Sequence, residues 1–266
     1  MSQQDDPLLQ RALQLRLYGL VARWPELRHE PWVLVLVELE EAERQHRSLE
    51  RRMRSSRVGA FKPMADFEWS WPTRIDRDLI EELFNFQFLD EAANVVLVGS
   101  SGLGKSMVAQ NLAHQALLKG HTVCFTSAST MLNDLAAQDG AMALQRRIRH
   151  YSSPKLLVID EVGWLSYDHR YADLLFEIVS QRNQQRSIVL TTNRPFKEWN
   201  EIFPNAACVV ALVDRLIHKA EIVQIEGESY RLKEAKERAE RSAAKRKKPP
   251  GKSPPGKPLS PTVTDE

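Results

Sequence analysis

An eight-residue glycine-rich segment matches the phosphate-loop pattern G-x-x-x-x-G-K-S/T. It follows the apolar run 94–98 and precedes the stretch 107–119, which has helical character. A strand that ends in such a turn and opens a helix directs backbone N–H groups and the positive end of the helix dipole at one point, which suits a triphosphate. This context disfavours the alternative, a chance glycine turn. The segment comprises Gly99, Ser100, Ser101, Gly102, Leu103, Gly104, Lys105 and Ser106.

Two side chains of this loop are expected to act directly on the bound nucleotide. Lys105 is predicted to reach the β- and γ-phosphates, and the Ser106 hydroxyl is predicted to bind Mg²⁺. Asp160 and Glu161 follow the apolar run 156–159, whose end lies at the same sheet edge as the loop. We expect Asp160 to hold the magnesium shell and Glu161 to deprotonate the attacking water. The alternative is that both acids only cap the next turn.

A third apolar run, which starts at residue 187, ends in Asn193. An asparagine cannot act as a base at neutral pH, but its amide can hydrogen-bond water and phosphate together. We therefore expect Asn193 to sense the γ-phosphate beside Lys105 and Glu161. The cofactors that these residues predict are ATP and Mg²⁺.

Short apolar segments alternate with helical segments from residue 94 onwards. Such an alternation predicts an α/β fold with a parallel sheet covered on both faces, which is the three-layer P-loop architecture. Strands are predicted at 95–98, 122–126, 156–159 and 188–191, and helices at 107–119, 128–137, 146–151 and 172–181.

The first 59 residues predict a small helical N-terminal domain. Apolar residues at steps of three and four predict a helix over 8–24, which Pro25 ends, and Pro31 suits the first turn of a second helix that runs to about residue 58. The second helix has a basic face within an arc of about 80°, predicted to bind DNA: Arg44, Arg47, Arg51 and Arg54. The opposite face is apolar: Leu39, Ala42, Leu49 and Met53. A solvated arginine face without a ligand is the alternative.

The rest of the chain divides into an ATPase domain at 60–236 and a basic tail at 237–266. The ATPase domain begins with an aromatic-rich connector and a helix over 77–86, and some of these aromatic side chains are candidates to cover the nucleotide base. Beyond residue 236 the sequence turns to Lys, Pro, Gly and Ser, and disorder is predicted from about residue 242.

Composition limits the classes of protein to which this chain can belong. It has 266 residues, of which 42% are hydrophobic and 27% charged, and no segment is apolar enough over its length to span a membrane. The N-terminus lacks signal-peptide character, so a cytoplasmic location is predicted, with Cys124 and Cys208 as buried free thiols. The net charge is +2, but residues 231–266 hold 11 Lys and Arg against 5 Asp and Glu. A basic end on a mildly acidic body indicates a polyanionic partner, with nucleic acid the leading candidate.

The order of the motifs resembles that of the IstB-like insertion-sequence helper ATPases, which are AAA+ proteins related to the DnaC helicase loader and the DnaA initiator. The resemblance covers about residues 8–236, and its most diagnostic segments are 160–165, 193–199, 214–219 and 227–232. Ser100 and Ser106 stand where such loops often carry proline and threonine, and neither difference removes a required group.

The resemblance implies an ATP-hydrolysing homo-oligomer on duplex DNA that recruits or activates a transposase. It also implies that Arg215 is an arginine finger acting on a neighbouring subunit, so that the ATP site lies at a subunit interface. Arg194 is the competing finger, Arg231 is a candidate second sensor, and a salt bridge of Arg215 to Asp214 or Glu221 is the structural alternative. Two other functions remain open: a helicase loader and a non-hydrolysing, ATP-gated DNA scaffold.

Overall fold

The computed structural model describes residues 6–163, 169–203 and 206–247. Within them, five parallel strands form one sheet in the order β2-β3-β4-β1-β5. The strands are β1 (Asn94–Gly99), β2 (Val123–Ser127), β3 (Leu156–Val162), β4 (Ser187–Thr192) and β5 (Ala220–Ile225). The predicted α/β class and parallel sheet are therefore confirmed, and β5 is an additional strand that hydrophobic patterning did not identify.

Helices cover both faces of this sheet, because its strands are apolar on both sides. In β1, for example, Val95 and Leu97 enter one core while Val96 enters the other. The helices are α1 (Pro7–Gln14), α2 (Tyr18–Ala22), α3 (Trp24–Leu27), α4 (Pro31–Ser56), α5 (Arg77–Leu83), α6 (Gln87–Asp90), α7 (Lys105–Leu118), α8 (Ala128–Ala136), α9 (Ala141–Ser152), α10 (His169–Arg182), α11 (Trp199–Ile202), α12 (Ala206–Ile217) and α13 (Tyr230–Lys247). One core lies under α8, α9, α10 and α12, and the other under α5, α6 and α7. This arrangement is the predicted three-layer architecture.

The prediction of one helix over 8–24 is wrong, because three short helices occupy this segment. Helix α1 ends in a left-handed residue, Arg16 (φ 55°), and the Leu17 N–H bonds back to the Ala12 carbonyl at 3.0 Å. This is a Schellman-type helix end. Pro25 lies in the first turn of α3 rather than after a helix end. The resulting turns bury Leu15 and Trp24 in one small core.

Helix α4 joins this small core to the sheet. Its first half buries Val33 and Val37 against α1–α3, and its second half packs on α7 and β2. There, the Arg52 guanidinium donates to the Leu117 carbonyl at 3.3 Å. The predicted apolar face is only partly covered, since Leu39 and Met53 are exposed. The domain boundary at residue 59 stays a prediction.

The C-terminal part differs from the prediction in one respect. The backbone of α13 is helical through Lys247, so the prediction of disorder from residue 242 is wrong for residues 242–247. The remainder of the predicted tail, 248–266, lies outside the described residues. Cys124 is buried and Cys208 is half-buried, and neither forms a disulfide within the described part of the chain. Among the described helices, none is both long enough and apolar enough to cross a membrane.

Candidate nucleotide-binding site

A cavity of about 340 Å³ lies at the carboxyl end of the sheet, above the start of α7. It brings together the phosphate loop between β1 and α7, the ends of β3 and β4, the connector before α5, and the first turn of α13. Its lining includes the predicted residues Lys105, Ser106, Glu161 and Asn193. The tertiary structure therefore gathers side chains from three separate motifs into one site.

Two glycines of the loop lie where neighbouring side chains leave no room for a Cβ atom. Gly102 and Gly104 have φ values of 82° and 88°, in the region that favours glycine. A Cβ atom on Gly102 would lie 2.2 Å from Ser229 Oγ, and one on Gly104 would lie 2.5 Å from the Phe67 ring. The backbone is thus left free to cradle phosphate oxygens.

Lys105 is almost fully buried and donates hydrogen bonds to two loop carbonyls, Gly99 O at 2.6 Å and Ser100 O at 2.7 Å. Burial lowers the pKa of its ammonium group to about 8, a shift that the carboxylate of Asp160 opposes and Arg231 reinforces. The side chain is therefore a desolvated cation that is still mostly protonated at neutral pH.

The side chains of Ser106 and Asp160, which are the predicted magnesium ligands, are in direct contact. The Ser106 hydroxyl donates to Asp160 Oδ1 at 3.0 Å, and the Thr191 hydroxyl on β4 donates to the same oxygen. A hydroxyl and a carboxylate are ligands that suit Mg²⁺, which is usually bound through one or two protein oxygens together with substrate phosphates. The donor set therefore fits this metal.

Glu161 reaches the cavity because the strand pairing is irregular at this point. The register between β3 and β4 shifts between Ile159 and Val162, and Glu161 adopts a left-handed conformation with φ 62°. Its N–H donates to the Thr191 hydroxyl at 2.9 Å, which fixes the bulge. The carboxylate consequently lies at the edge of the cavity and is exposed, rather than in the sheet.

Asn193 follows β4 and lines the same cavity. Its Oδ1 atom is buried and has no hydrogen-bond partner among the described residues. An unpartnered buried amide oxygen costs free energy, so its retention indicates a partner that enters the cavity. This geometry matches the expected contact with water or phosphate.

Three arginines suggested by the family resemblance occupy different places. Arg231 lines the cavity. Arg194 is ion-paired with Glu198 at 3.4 Å and with Glu201 at 3.7 Å. Arg215 lies on α12, where its guanidinium stacks 4.3 Å from the Phe176 ring and bonds the Ser180 hydroxyl. Neither Arg194 nor Arg215 is among the described residues that line the cavity of its own chain.

The sequence predicted that some aromatic residues of the connector cover the nucleotide base, but it did not specify which, and it did not include Tyr230. Phe67 and Trp71 from the connector and Tyr230 from α13 line the cavity. The Trp71 indole N–H donates to the Glu228 carbonyl at 2.7 Å, and the Tyr230 N–H donates to the Gly102 carbonyl at 3.0 Å. The density of aromatic residues was a signal, but only the pairing of two distant segments shows which rings line the cavity.

A polar cluster fixes this wall from outside. Lys233 on α13 contacts Glu68 at 3.0 Å, and its ammonium lies 4.3 Å from the Trp71 ring centroid. The hydrogen bonds from Lys233 and then from Tyr230 hold the pKa of the Glu68 carboxyl below its usual range. The connector and α13 are thereby joined across the cavity mouth.

The parallel sheet, the phosphate loop and the acids at the end of β3 define a P-loop nucleotide-binding protein. Comparison with known proteins specifies the family. The family model for IstB-like ATP binding protein matches residues 14–238, and the chain belongs to this family.

Relatives of similar length carry the same description. The putative ATP-binding protein of insertion sequence IS21 from Pseudomonas aeruginosa is 32% identical over 209 residues, 79% of each chain. A putative insertion-sequence ATP-binding protein from Mycobacterium tuberculosis is 32% identical over 237 residues, 85% of this chain and 94% of the relative.

Solved structures with a similar fold are more distant in sequence. DnaI is 15% identical with a TM-score of 0.50, over 65% of this chain and 90% of that one. The replication initiator DnaA bound to AMPPCP and single-stranded DNA is 19% identical with a TM-score of 0.50, over 66% and 56% of the two chains. These likenesses concern the fold.

The lowered pKa of Lys105 predicts a pH-dependent affinity for nucleotide. The ammonium form attracts phosphate, so affinity is highest below pH 8 and falls as the pH rises through this value. We expect the Kd of a fluorescent ATP analogue to be about tenfold larger at pH 9 than at pH 7. In Lys105→Arg, whose side chain stays charged, Kd should be nearly independent of pH over this range. An equal pH dependence in both proteins would contradict the assignment.

Proposed function

We propose that this protein is an ATP-hydrolysing, DNA-binding transposition helper that assembles on duplex DNA and recruits or activates a transposase. The observation that carries the ATPase part is the cavity lined by Lys105, Ser106, Glu161 and Asn193, with Asp160 hydrogen-bonded to Ser106 beside it. Membership of a family whose relatives are named as ATP-binding proteins of insertion sequences supports the transposition part.

Each of these residues has a separate role in the proposed reaction. The loop N–H groups and Lys105 bind the β- and γ-phosphates, and Lys105 exchanges its bonds with two loop carbonyls for bonds with phosphate oxygens. Ser106 and Asp160 would hold Mg²⁺, which supplies neutralisation of the developing charge on the phosphates. Glu161 accepts the proton of a water molecule at its carboxylate, and Asn193 Oδ1 orients that water.

Replacing Glu161 by Gln should separate hydrolysis from binding. The amide keeps the size of the side chain but cannot accept the proton, so we expect phosphate release to fall at least about 100-fold while ATP affinity is retained. Phosphate release with and without duplex DNA measures this. The exposed residue Glu82 provides a matched control, Glu82→Gln, with an unchanged rate. A wild-type protein without turnover in the presence of DNA would favour the non-hydrolysing scaffold.

The position of Arg215 supports an active site shared between subunits. Its contacts with Phe176 and Ser180 hold the guanidinium on α10, away from its own cavity. These contacts also replace the salt bridge to Asp214 or Glu221 that was the structural alternative. We assign the arginine finger to Arg215, as the family resemblance implies, and Arg194 stays the competing finger because its ion pairs with Glu198 and Glu201 are exposed and weak.

Mixing two inactive variants tests this assignment. Arg215→Ala supplies an intact phosphate loop, and Lys105→Ala supplies an intact finger. In an equal mixture, about one quarter of the head-to-tail interfaces combine the two intact parts and should regain activity. Each variant alone should release phosphate at least 100-fold more slowly than the wild type, by the usual order of a finger's contribution. A mixture as inactive as its components would mean that Arg215 acts only within its own chain.

The proposed DNA surface is the arginine face of α4. Arg44 and Arg47 form ion pairs with Glu40 at 3.3 Å and Glu43 at 2.6 Å, one turn away on the same helix. Exposed pairs of this kind are weak, so phosphates can replace the carboxylates. Arg51 and Arg54 are exposed on the same face. Repeated arginines favour contacts with the DNA backbone and thus a strong dependence on salt.

Replacing the four arginines by Gln should remove both DNA affinity and transposase recruitment. On immobilised duplex DNA, the wild-type protein with ATP is expected to retain a purified insertion-sequence transposase. In the variant, we expect weaker binding and a salt slope smaller by about 0.9 per lost phosphate contact. The matched control replaces four exposed arginines elsewhere and should bind as the wild type does: Arg23, Arg28, Arg146 and Arg149. Retention of a replicative helicase instead of transposase would favour the loader function.

A further inference from the structure

One threonine hydroxyl lies between the two acids of the candidate site. Thr191 is near the end of β4, the central strand of the sheet, where it is almost fully buried and lines the nucleotide cavity. A buried hydroxyl costs free energy unless it is hydrogen-bonded. This one accepts the Glu161 N–H at 2.9 Å and donates to Asp160 Oδ1. It therefore contacts the backbone of one acid and the carboxylate of the other.

The strand pairing explains why both acids lie next to this one residue. The register of β3 against β4 shifts between Ile159 and Val162, so Thr191 alone stands opposite both Asp160 and Glu161. Two residues against one is the arrangement of a β-bulge, which interrupts the ladder of backbone hydrogen bonds and redirects side chains. The Thr191 hydroxyl accepts a backbone N–H at this interruption and so stabilises the bulge.

The chemistry of the two partners fixes the direction of both hydrogen bonds. A backbone N–H only donates and a carboxylate only accepts, so the single hydroxyl proton points to Asp160. The β-branched side chain of Thr191 has restricted rotation about χ1. Its backbone is also held on the other side, by pairing with Leu97 of β1. The hydroxyl is thus held in position by the sheet itself.

The carboxylate of Asp160 is oriented by two hydroxyl groups. Ser106, at the start of α7, donates to Oδ1 at 3.0 Å, and Thr191 donates to the same oxygen. Together they hold the carboxylate beside the phosphate loop. Removing a group that hydrogen-bonds a metal-binding carboxylate typically lowers metal affinity or activity by about 10–100-fold.

The backbone of Glu161 needs support because its conformation is unfavourable. Its φ of 62° lies in the left-handed region, which is uncommon for a residue other than glycine and persists only where surrounding contacts maintain it. The hydrogen bond from its N–H to Thr191 is such a contact. This conformation places the side chain at the edge of the cavity.

We propose that Thr191 is a positioning residue for ATP hydrolysis, whose one hydroxyl orients Asp160 toward Mg²⁺ and Glu161 toward the attacking water. The inference rests on the proposed function, because it assumes the roles given there to the two acids. It adds that these roles are coupled through β4. Loss of the hydroxyl should impair the magnesium dependence and the turnover together, while the phosphate loop and Lys105 keep their contacts.

Replacing Thr191 by Val removes the hydroxyl and keeps the β-branched shape of the side chain. The kcat of phosphate release should fall by about 10–100-fold, with little change in the KM for ATP. The Mg²⁺ concentration at half-maximal enhancement of the affinity for a fluorescent ATP analogue should rise by about tenfold or more. Affinity for the analogue without Mg²⁺ should equal that of the wild type. Thr191→Ser keeps the hydroxyl and should restore both kcat and the magnesium dependence.

Thr122 provides a matched control at the opposite end of the sheet. Its hydroxyl accepts the Lys155 N–H at 3.0 Å, at the amino ends of β2 and β3, and Thr122 is not among the described residues that line the cavity. Thr122→Val therefore removes the same kind of hydrogen bond away from the site. This variant should hydrolyse ATP and respond to Mg²⁺ as the wild type does.

Several results would overturn the inference. These are a Thr191→Val protein with wild-type kcat and magnesium dependence, a serine variant as impaired as the valine variant, and an equal loss in Thr122→Val. Weaker metal-free nucleotide binding in a Thr191→Val protein with the wild-type unfolding transition would also overturn it, because the disturbance would then reach the whole site. If the valine variant does not fold, Thr191→Ala compared with Thr191→Ser gives the same contrast.

Failure of the proposed function has a different signature. A wild type that does not hydrolyse ATP in the presence of DNA would contradict the proposed ATPase function. The magnesium dependence of nucleotide binding does not require turnover, and an unchanged value in Thr191→Val would overturn the positioning role in that case too.

Discussion

The backbone of the phosphate loop is in close contact with segments that precede it and segments that follow it in the sequence. A Cβ atom on Gly99 would lie 2.2 Å from the Ile225 carbonyl oxygen, and one on Gly102 would meet Ser229. The connector closes the other side with Phe67, against Gly104. The loop, β5, α13 and the connector can therefore be assembled only together, and the cavity is the space that remains between them.

This enclosure also determines the electrostatics of the site. Removing Lys105 from water lowers its pKa, and the nearby acids Asp160 and Glu161 limit the shift. A triphosphate with its metal would meet a cation that is poorly solvated and two carboxylates on the same sheet edge. A desolvated charge interacts more strongly than a hydrated one. The free-energy cost of burying the Lys105 ammonium group is therefore offset when phosphate binds.

The N-terminal helices make a different use of charge. Their small core buries only one side of the first half of α4, so the helix retains an apolar row and an arginine face on other sides. On the arginine face, Arg44 and Arg47 form ion pairs with Glu40 and Glu43 of the same helix. Such exposed pairs are weak, so an anionic partner can replace the glutamates on the arginine face.

Local pattern was sufficient for much of this protein. The phosphate loop, the acids after β3 and Asn193 after β4 were predicted from residue type and spacing, because parallel strands bring their carboxyl ends to one edge. Alternating apolar runs also predicted the first four strands. Helix ends were less well predicted, since the break at Arg16 depends on burying Leu15 and Trp24 together.

The sequence by itself determined the chemistry available: the loop, the carboxylates, the amide and the arginine face of α4. Only the tertiary structure decided which groups share a cavity. β5 is half exposed and lacks a long apolar run, so its place beside β1 follows from pairing rather than pattern. Trp71 and Tyr230 are 159 positions apart in sequence, and their ring centroids lie 5.9 Å apart. The Trp71 indole N–H donates to the Glu228 carbonyl and the Tyr230 N–H donates to the Gly102 carbonyl, which holds the two rings together. Contacts between distant segments depend on packing of the whole chain, and no local pattern records them.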